Sequence, residues 1–275
     1  MSAAPEDLVD LDRYPVTALD SPAAAAVIAT HRAELSERGV SVLPGFVTPG
    51  ALDAMATECS ALRDHAHHQD VHGTPYLEIP EGEWPDGHPR VAWARSSVHT
   101  IGYDQFPTGS PMRTLYEWDA LVSFLGRILG REPLYRYADP IGALNVAVMV
   151  DGDELGWHYD QTDFVVSLAV QSSTTGGDFE NVAKLRSDDD EHYDDVAVVL
   201  SGADRARVTT EPMEPGTLML FEGRWSLHRV TPVAGDRPRY VRLFGYDTKP
   251  DTQSSELLKL VRYGRSEPLA QPSIS

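Results

Sequence analysis

Two histidines and one aspartate in this chain have the types and spacing of a metal-binding set. His158 and Asp160 are separated by one residue, and side chains two positions apart on a β-strand project from the same face. His228 follows at the end of a later segment with strand character. Two neutral imidazoles and one carboxylate on a rigid scaffold bind Fe(II) or Zn(II) and leave coordination positions open. The competing interpretation is a surface His-Asp pair beside an unrelated histidine, because the chain contains 10 histidines and 42 acidic residues.

The segments around these three residues favour the interpretation as a metal site over that as a surface pair. An apolar run at 165–170 follows the first histidine, and a Pro215-Gly216 turn precedes an apolar segment at 217–221 before the second. A further apolar segment, within 236–244, has basic residues at its start. This succession of turns and short apolar segments predicts β-strands that hold the three side chains at strand ends.

Four stretches of the chain resemble the Fe(II)/2-oxoglutarate-dependent oxygenases, over roughly residues 25–250. Within that superfamily they are most similar to the free-amino-acid radical halogenases of the lysine halogenase type and to their hydroxylase relatives. The stretches that show the resemblance are Gly156–Asp160, Asp163–Ala169, Gly176–Glu180 and His228–Val233.

The resemblance implies an α+β, mostly β fold: a double-stranded β-helix core (jelly-roll, cupin-like) with flanking N-terminal helices. We expect one domain over residues 1–265, with a helical part at about 20–130 and the jelly-roll core at about 134–250. Residues 266–275 are expected to form a flexible tail. The sequence shows no repeat and no linker that would indicate a second domain.

The same resemblance implies the cofactors. His158, Asp160 and His228 would hold Fe(II), with 2-oxoglutarate and O2 as cosubstrates. The far carboxylate of 2-oxoglutarate needs a cation, and a planar guanidinium binds a carboxylate through two hydrogen bonds. Arg239 is the expected partner, because it stands shortly after His228 and immediately before an apolar strand.

Two other arginines compete with Arg239 for this role. Arg237 and Arg242 lie in the same segment, but Arg242 has the opposite parity along the strand, so it and Arg239 should not both point inward. Asn145 is a polar residue within an apolar strand-like run. It is expected either to face the cosubstrate pocket or to be a hydrogen-bonded amide of the core.

Asp160 decides the expected reaction. In the halogenases of this family a small residue replaces the carboxylate ligand, and halide takes its coordination site. Because Asp160 is present, we expect an oxygenase that hydroxylates an aliphatic C–H bond and releases succinate and CO2. Desaturation or ring closure by the same iron chemistry is an alternative outcome. Two further alternatives are a zinc-type cupin hydrolase or isomerase, and a non-catalytic binding cupin.

The expected substrate is a small free amino acid or a close derivative. Relatives hold the substrate carboxylate with an arginine ahead of the β core, and Arg95 lies there, in a predicted strand at 91–97 within a long Pro-rich stretch. Trp157 and Gln161, which flank the metal motif, are the other candidate substrate contacts. The alternative for Arg95 is an ordinary exposed arginine.

Composition narrows the classes of partner and compartment. The net charge of −19 makes nucleic acid and anionic membranes poor partners. The single cysteine, Cys59, excludes an internal disulfide and fits a reducing cytoplasm. No apolar run approaches the roughly 18 residues of a membrane span, and the acidic N-terminus lacks the apolar core of a signal peptide. The sequence leaves the oligomeric state open.

Helix signals dominate the rest of the chain. A Ser-Pro pair predicts a helix from 22 to 38 with a glycine after its end, and a Thr-Pro pair predicts a second from 49 to about 67. Apolar residues at three- and four-residue spacing predict one helix over 111–130. A C-terminal helix is expected over 251–263, whereas residues 196–200 fit either a short helix or a strand.

A group of histidines falls at the end of the second predicted helix. His65, His68 and His72 would share one face if that helix continued. The segment is polar and runs into Gly73, so we interpret it as a solvated helix end rather than as a second metal site.

Overall fold

A computed structural model describes residues 3–269 of the chain, and short helices and strands alternate through it. The helices within these residues are α1 Pro22–Arg38, α2 Pro49–Leu62, α3 Pro111–Tyr116, α4 Asp119–Leu129, α5 Tyr193–Leu200 and α6 Glu256–Tyr263, with 3-10 turns at Pro5–Leu8, Arg63–His65, Pro89–Val91 and Tyr103–Gln105. The strands are β1 Val40–Leu43, β2 His67–Gly73, β3 Ala94–Gly102, β4 Tyr135–Arg136, β5 Leu144–Met149, β6 Glu154–His158, β7 Val165–Gln171, β8 Thr175–Gly176, β9 Phe179–Val182, β10 Thr209–Glu211, β11 Leu218–Phe221, β12 Leu227–Val230, β13 Val233–Ala234, β14 Arg239–Phe244 and β15 Tyr246–Asp247.

Eleven of these strands form one antiparallel sheet in the order β1-β11-β7-β14-β5-β3-β6-β12-β9-β10, with β2 added at β3. The sheet curls, so that inward side chains from its two halves meet. Met149 on β5 and Phe221 on β11 pack with Phe179 on β9 and Val230 on β12. This arrangement is the predicted double-stranded β-helix, a mostly β fold with added helices.

Helices cover the outer face of the half that contains β5, β7, β11 and β14. Apolar side chains of alternate strand positions point to that face, since successive residues of a strand face opposite sides. Val146, Leu168 and Leu220 join Phe46, before α2, and Phe124 of α4 in the largest buried cluster. The N-terminal helices therefore buttress the β core from outside.

A smaller apolar cluster covers the outer face of the other half. Trp157, Tyr159 and Leu227 lie beneath α5 and pack with Tyr76 from the loop that precedes β3. Trp157 and Tyr159, on either side of His158, and Leu227, which precedes His228, therefore point into this cluster and away from the two histidines.

The first helix agrees with its sequence signals. The Ser21 hydroxyl accepts a hydrogen bond of 3.1 Å from the Ala24 amide, and Gly39 adopts φ 66° at the C-terminal end. A residue with a β-carbon is strained in this left-handed conformation, which glycine adopts freely.

The second and third predicted helices differ from the structure, and the expected C-terminal helix begins only at Glu256. The second ends at Leu62, and residues from His67 onward form β2 instead, paired with β3. The third divides at Trp118, which leaves the helical region at φ −79°, ψ 114°. Arg136 donates hydrogen bonds to the carbonyls of Tyr116 (2.9 Å) and Glu117 (2.6 Å), and so satisfies the end of α3. In both cases partners distant in sequence override local helix propensity.

The C-terminal segment is fastened to the core through Asp104. Arg265 donates two hydrogen bonds of 2.7 Å to the Asp104 carboxylate, and the Leu269 amide donates another of 2.7 Å. The first residues of the expected tail, 266–269, are therefore tethered, and the remainder of that tail, 270–275, lies outside the described residues. Among residues 3–269, no helix combines the length and apolar character required to cross a bilayer.

Candidate metal centre

The three predicted ligands meet at one end of the curled sheet. His158 is the last residue of β6, and it lies directly opposite His228 on the adjacent strand β12, with the ring centroids 4.2 Å apart. The Nε2 atoms of His158 and His228 are 3.9 Å and 3.4 Å from the Asp160 carboxylate. The ligating atoms of the three residues all lie within 4.8 Å of one another.

Backbone carbonyls orient both imidazoles. The Nδ1 atom of His158 lies 2.8 Å from the Gly156 carbonyl, and that of His228 lies 2.9 Å from the Ser226 carbonyl. A carbonyl oxygen only accepts, so each Nδ1 carries the proton and each Nε2 directs its lone pair toward the centre. This arrangement of outer hydrogen bonds is typical of metal-ligating histidines.

Burial keeps His228 neutral. Phe179 and Phe221 place their rings 5.6 Å and 4.8 Å from the imidazole of His228. Desolvation and the neighbouring His158 lower the pKa of His228 to about 4, although Asp160 opposes the shift. A neutral imidazole is the form that binds a metal ion.

Asp160 is positioned by a loop rather than by a strand. The strand ends at His158, and the Asp160 amide donates a hydrogen bond of 3.0 Å to the carbonyl of Gly223. A β-carbon on Gly223 would lie 1.9 Å from Asp160 Oδ2, so only glycine leaves room for the carboxylate. The sequence analysis missed Gly223, because one glycine among 21 gives no signal of a close approach.

Arg239 is buried in the interior of the β core. It lies opposite Met149, is 7% exposed, and places Nη1 3.7 Å from the Met149 sulfur. Desolvation lowers the pKa of Arg239 to about 10, which leaves it charged at neutral pH. No carboxylate of the described residues lies within 4.0 Å of it. A buried cation without an anionic partner is costly, and an anionic ligand would relieve that cost.

The two rival arginines lie elsewhere. Arg242 points toward the helices, as parity predicted: Nη2 donates to the Met112 carbonyl at 2.5 Å, and the guanidinium lies 4.0 Å from the Phe244 ring centroid. Arg237 is exposed in the turn before β14. Of the three arginines, Arg239 alone lies on the face of β14 that points into the β core.

Asn145 lies on the same inward side of the sheet. It is 6% exposed and faces Leu243 on β14 and Gly102 on β3. The position is compatible with a polar contact inside the β core.

The structure does not bring Arg95 to the triad. Its guanidinium forms paired hydrogen bonds of 3.0 Å and 2.9 Å with Asp70 and donates to the Gly152 carbonyl at 2.7 Å. Arg95 has the opposite parity from Val98, which packs against the inner cluster, so Arg95 faces outward. The reason is the pairing of β2 with β3, which supplies a nearby carboxylate on that outer face.

Trp157 and Gln161, the other two expected substrate contacts, lie in different surroundings. Trp157 is buried in the cluster beneath α5, with the Arg229 guanidinium 4.9 Å from its ring centroid, so its ring faces away from the triad. Gln161 is exposed directly after Asp160. Its carbonyl accepts a hydrogen bond from Arg224, a residue that the sequence analysis did not single out.

Comparison with known proteins supplies the family. Residues 23–259 match the family described as Halogenase D, whereas no curated protein gives a significant match. The fold is shared with solved structures of low sequence identity, and at 14–17% identity the likeness shows the fold alone.

Three such structures illustrate the likeness. The non-heme alpha ketoglutarate dependent epimerase SnoN from nogalamycin biosynthesis has a TM-score of 0.54 and 15% identity, covering 90% of this chain and 97% of SnoN. A prolyl hydroxylase from Trichoplax adhaerens has a TM-score of 0.54 and 14% identity, covering 83% and 92%. A 2OG-Fe(II) oxygenase family member from Burkholderia pseudomallei has a TM-score of 0.50 and 17% identity, covering 81% and 91%. Because the family match spans most of its length, this chain belongs to the Halogenase D family, and its fold is the one found in 2OG-Fe(II) oxygenases.

Proposed function

We propose that this protein hydroxylates an aliphatic C–H bond of a small free amino acid or close derivative, using Fe(II), 2-oxoglutarate and O2. The observation on which the proposal rests is the complete ligand set of His158, Asp160 and His228, with Gly223 leaving space for the carboxylate. When bound, iron and 2-oxoglutarate supply the oxidation of the C–H bond, with conversion of 2-oxoglutarate to succinate and CO2.

The donor set fits Fe(II). Two neutral imidazole nitrogens and one carboxylate oxygen converge from one side, which is the arrangement of non-haem iron oxygenases. The carbonyl-held Nδ1 atoms and the glycine contact fix the ligand orientations before any metal binds, so little reorganisation is required. The protein's own contribution is to hold these donors and the substrate in the correct relative position and orientation.

Arg239 supports a site for the far carboxylate of 2-oxoglutarate. Its guanidinium lies inside the β core without an acidic partner within 4.0 Å among the described residues. A planar guanidinium in a desolvated pocket forms a charge-assisted, bidentate pair with a carboxylate. Gly177 makes room for this side chain, because a β-carbon there would lie 2.8 Å from Arg239 Cδ.

Asp160 supports hydroxylation over halogenation. Carboxylate and halide would compete for the same coordination position, and the backbone at Gly223 is shaped around the carboxylate. The family description as halogenase therefore does not by itself assign the reaction of this member.

Arg224 and Asp163, whose carboxylate also lies 3.4 Å from Arg131, are our candidate contacts for a zwitterionic substrate, because Arg224 bonds to the residue that follows Asp160. Arg224 donates a 2.6 Å hydrogen bond from Nε to Asp163 and another bond to the carbonyl of Gln161. Arg224 is 37% exposed, so a ligand can reach it. An amino acid presents the complementary pair of charges, and we assign Arg224 rather than Arg95 as the carboxylate anchor.

Succinate release across a panel of free amino acids, followed by mass spectrometry of the consumed one, tests the proposal. The expected product gains one oxygen atom, and its yield is unaffected by added chloride. The His158→Ala/His228→Ala variant is the control and should release no succinate above background. A chlorinated product from the wild type, or turnover without 2-oxoglutarate, would refute the assignment.

A further inference from the structure

We propose that His68, His99 and Asp153 form a second divalent-metal site on the outer face of the sheet. Their ligating atoms lie within 4.8 Å of one another, as do those of the triad. The site would take a transition metal that imidazole favours, with Zn(II) the first choice at two nitrogens and one oxygen.

Strand pairing builds this cluster from residues distant in the chain. His68 on β2 lies directly opposite His99 on β3, and their rings stack with centroids 4.1 Å apart and planes 12° apart. Asp153 comes from the turn between β5 and β6. His99 has the opposite parity from Val98, which packs against the inner cluster. His68 is paired directly with His99 and shares its face, so the cluster faces away from the triad.

Hydrogen bonds fix the orientation of the buried Asp153 carboxylate. It is 3% exposed, and it accepts hydrogen bonds from the Ser97 hydroxyl at 2.5 Å and the Val150 amide at 2.9 Å. Its Oδ2 lies 3.2 Å from His99 Nδ1, and its Oδ1 lies 3.9 Å from His68 Nε2. A carboxylate that is fixed by backbone and hydroxyl donors resembles the oriented ligands of built metal sites.

The hydrogen bonds show which ring nitrogen of each histidine carries a proton. His99 Nδ1 donates to the Asp153 carboxylate, and His68 Nε2 contacts Ser97 Oγ at 3.0 Å. Ser97 donates its single proton to Asp153, so it accepts from His68. A divalent cation bound at these two nitrogens would require each imidazole to carry its single proton on the other ring nitrogen, a change of tautomer with no net loss of a proton from a neutral ring.

The stacked rings require one adjustment. Parallel imidazoles cannot both direct an in-plane lone pair at one ion, so one ring must rotate. His68 can do so, because its side chain is 46% exposed and, among residues 3–269, β2 forms a strand pair with β3 alone. The metal would then link edge strand β2 to the turn that leads into β6, the strand that ends at His158.

Co(II) titration followed by visible absorption tests the proposal, since tetrahedral Co(II) with nitrogen ligands absorbs strongly. The His158→Ala/His228→Ala variant removes the triad as a competing site and should still bind one equivalent of Co(II). Adding His68→Ala/His99→Ala should abolish this binding. His72→Ala is the matched control: His72 is an exposed histidine on the same face of β2, and its loss should leave the titration unchanged.

Thermal unfolding of the combined variant in the presence of a chelator shows whether the variant still folds, and so distinguishes loss of the metal site from loss of the fold. If the combined variant fails to fold, His68→Gln at the exposed edge position decides the question by the same titration. No Co(II) binding in the triad-deficient variant, or binding that persists without His68 and His99, would overturn the proposal. Neither result depends on hydroxylase activity.

Discussion

Gly223 and Asp160 are fitted to each other at the metal centre: a β-carbon on Gly223 would lie 1.9 Å from Asp160 Oδ2. The same glycine accepts the Asp160 amide hydrogen through its carbonyl. Backbone hydrogen bonding and the absence of a side chain thus place the carboxylate where the two histidines converge.

Gly223→Ala is expected to weaken Fe(II) binding by about 10- to 100-fold, the usual effect of disturbing groups that orient metal ligands. The methyl group must push the Asp160 carboxylate away from its position. Gly50→Ala is the control, because a β-carbon on Gly50 meets nothing within 4 Å. Equal metal affinity of the two variants, measured by anaerobic titration, would contradict the role of Gly223.

Arg239→Gln is expected to raise the 2-oxoglutarate concentration required for half-maximal activity far more than Arg237→Gln. Loss of a shielded charge pair costs about 2–5 kcal/mol, or roughly 30-fold or more in affinity. Arg237 is exposed in the preceding turn and should have little effect. Similar small effects of both substitutions on the 2-oxoglutarate titration would remove Arg239 from the proposed site.

Arg224→Ala is expected to raise the KM for the amino-acid substrate by about tenfold or more, because hydrogen bonds to charged groups contribute about 1.5–3 kcal/mol. Arg95→Ala removes an arginine that is paired with Asp70 on the outer face and should leave KM unchanged. The KM for 2-oxoglutarate should be unchanged in both variants. A KM increase confined to Arg95→Ala would reverse the assignment of the anchor.

Glu180 should contribute stability that depends on pH. Burial raises its pKa, but hydrogen bonds from Arg205 and Arg229 outweigh burial, and the net pKa is lowered. A carboxyl with a lowered folded pKa stabilises the fold above its unfolded pKa, and the stabilisation disappears as the pH falls through the folded value.

Glu180→Gln should therefore reduce the free energy of unfolding by roughly 1–3 kcal/mol at neutral pH, and the difference from wild type should shrink below about pH 4. Urea unfolding at several pH values measures this. Glu78→Gln is the comparison, because the Glu78 side chain is 62% exposed. A difference between Glu180→Gln and wild type that does not vary with pH would contradict the ion-pair explanation.

The sequence by itself determined the three candidate metal ligands and the inward and outward positions of β14. A His-x-Asp spacing at a strand end and a later histidine are local patterns, and strand alternation follows from backbone geometry alone. Opposite parity correctly separated Arg239 from Arg242 for the same reason. Helix starts with Ser or Thr before Pro were likewise predictable, since capping depends on neighbours in the chain.

Only the tertiary structure decided which residues meet across strands. The register of β2 on β3 places Asp70 beside Arg95 and His68 against His99, so a presumed substrate anchor becomes an outer ion pair and a presumed helix end becomes a candidate metal site. Gly223 acquires its role only when its loop approaches Asp160. Register and close approach are set by packing between distant segments, and no local pattern of residues encodes them.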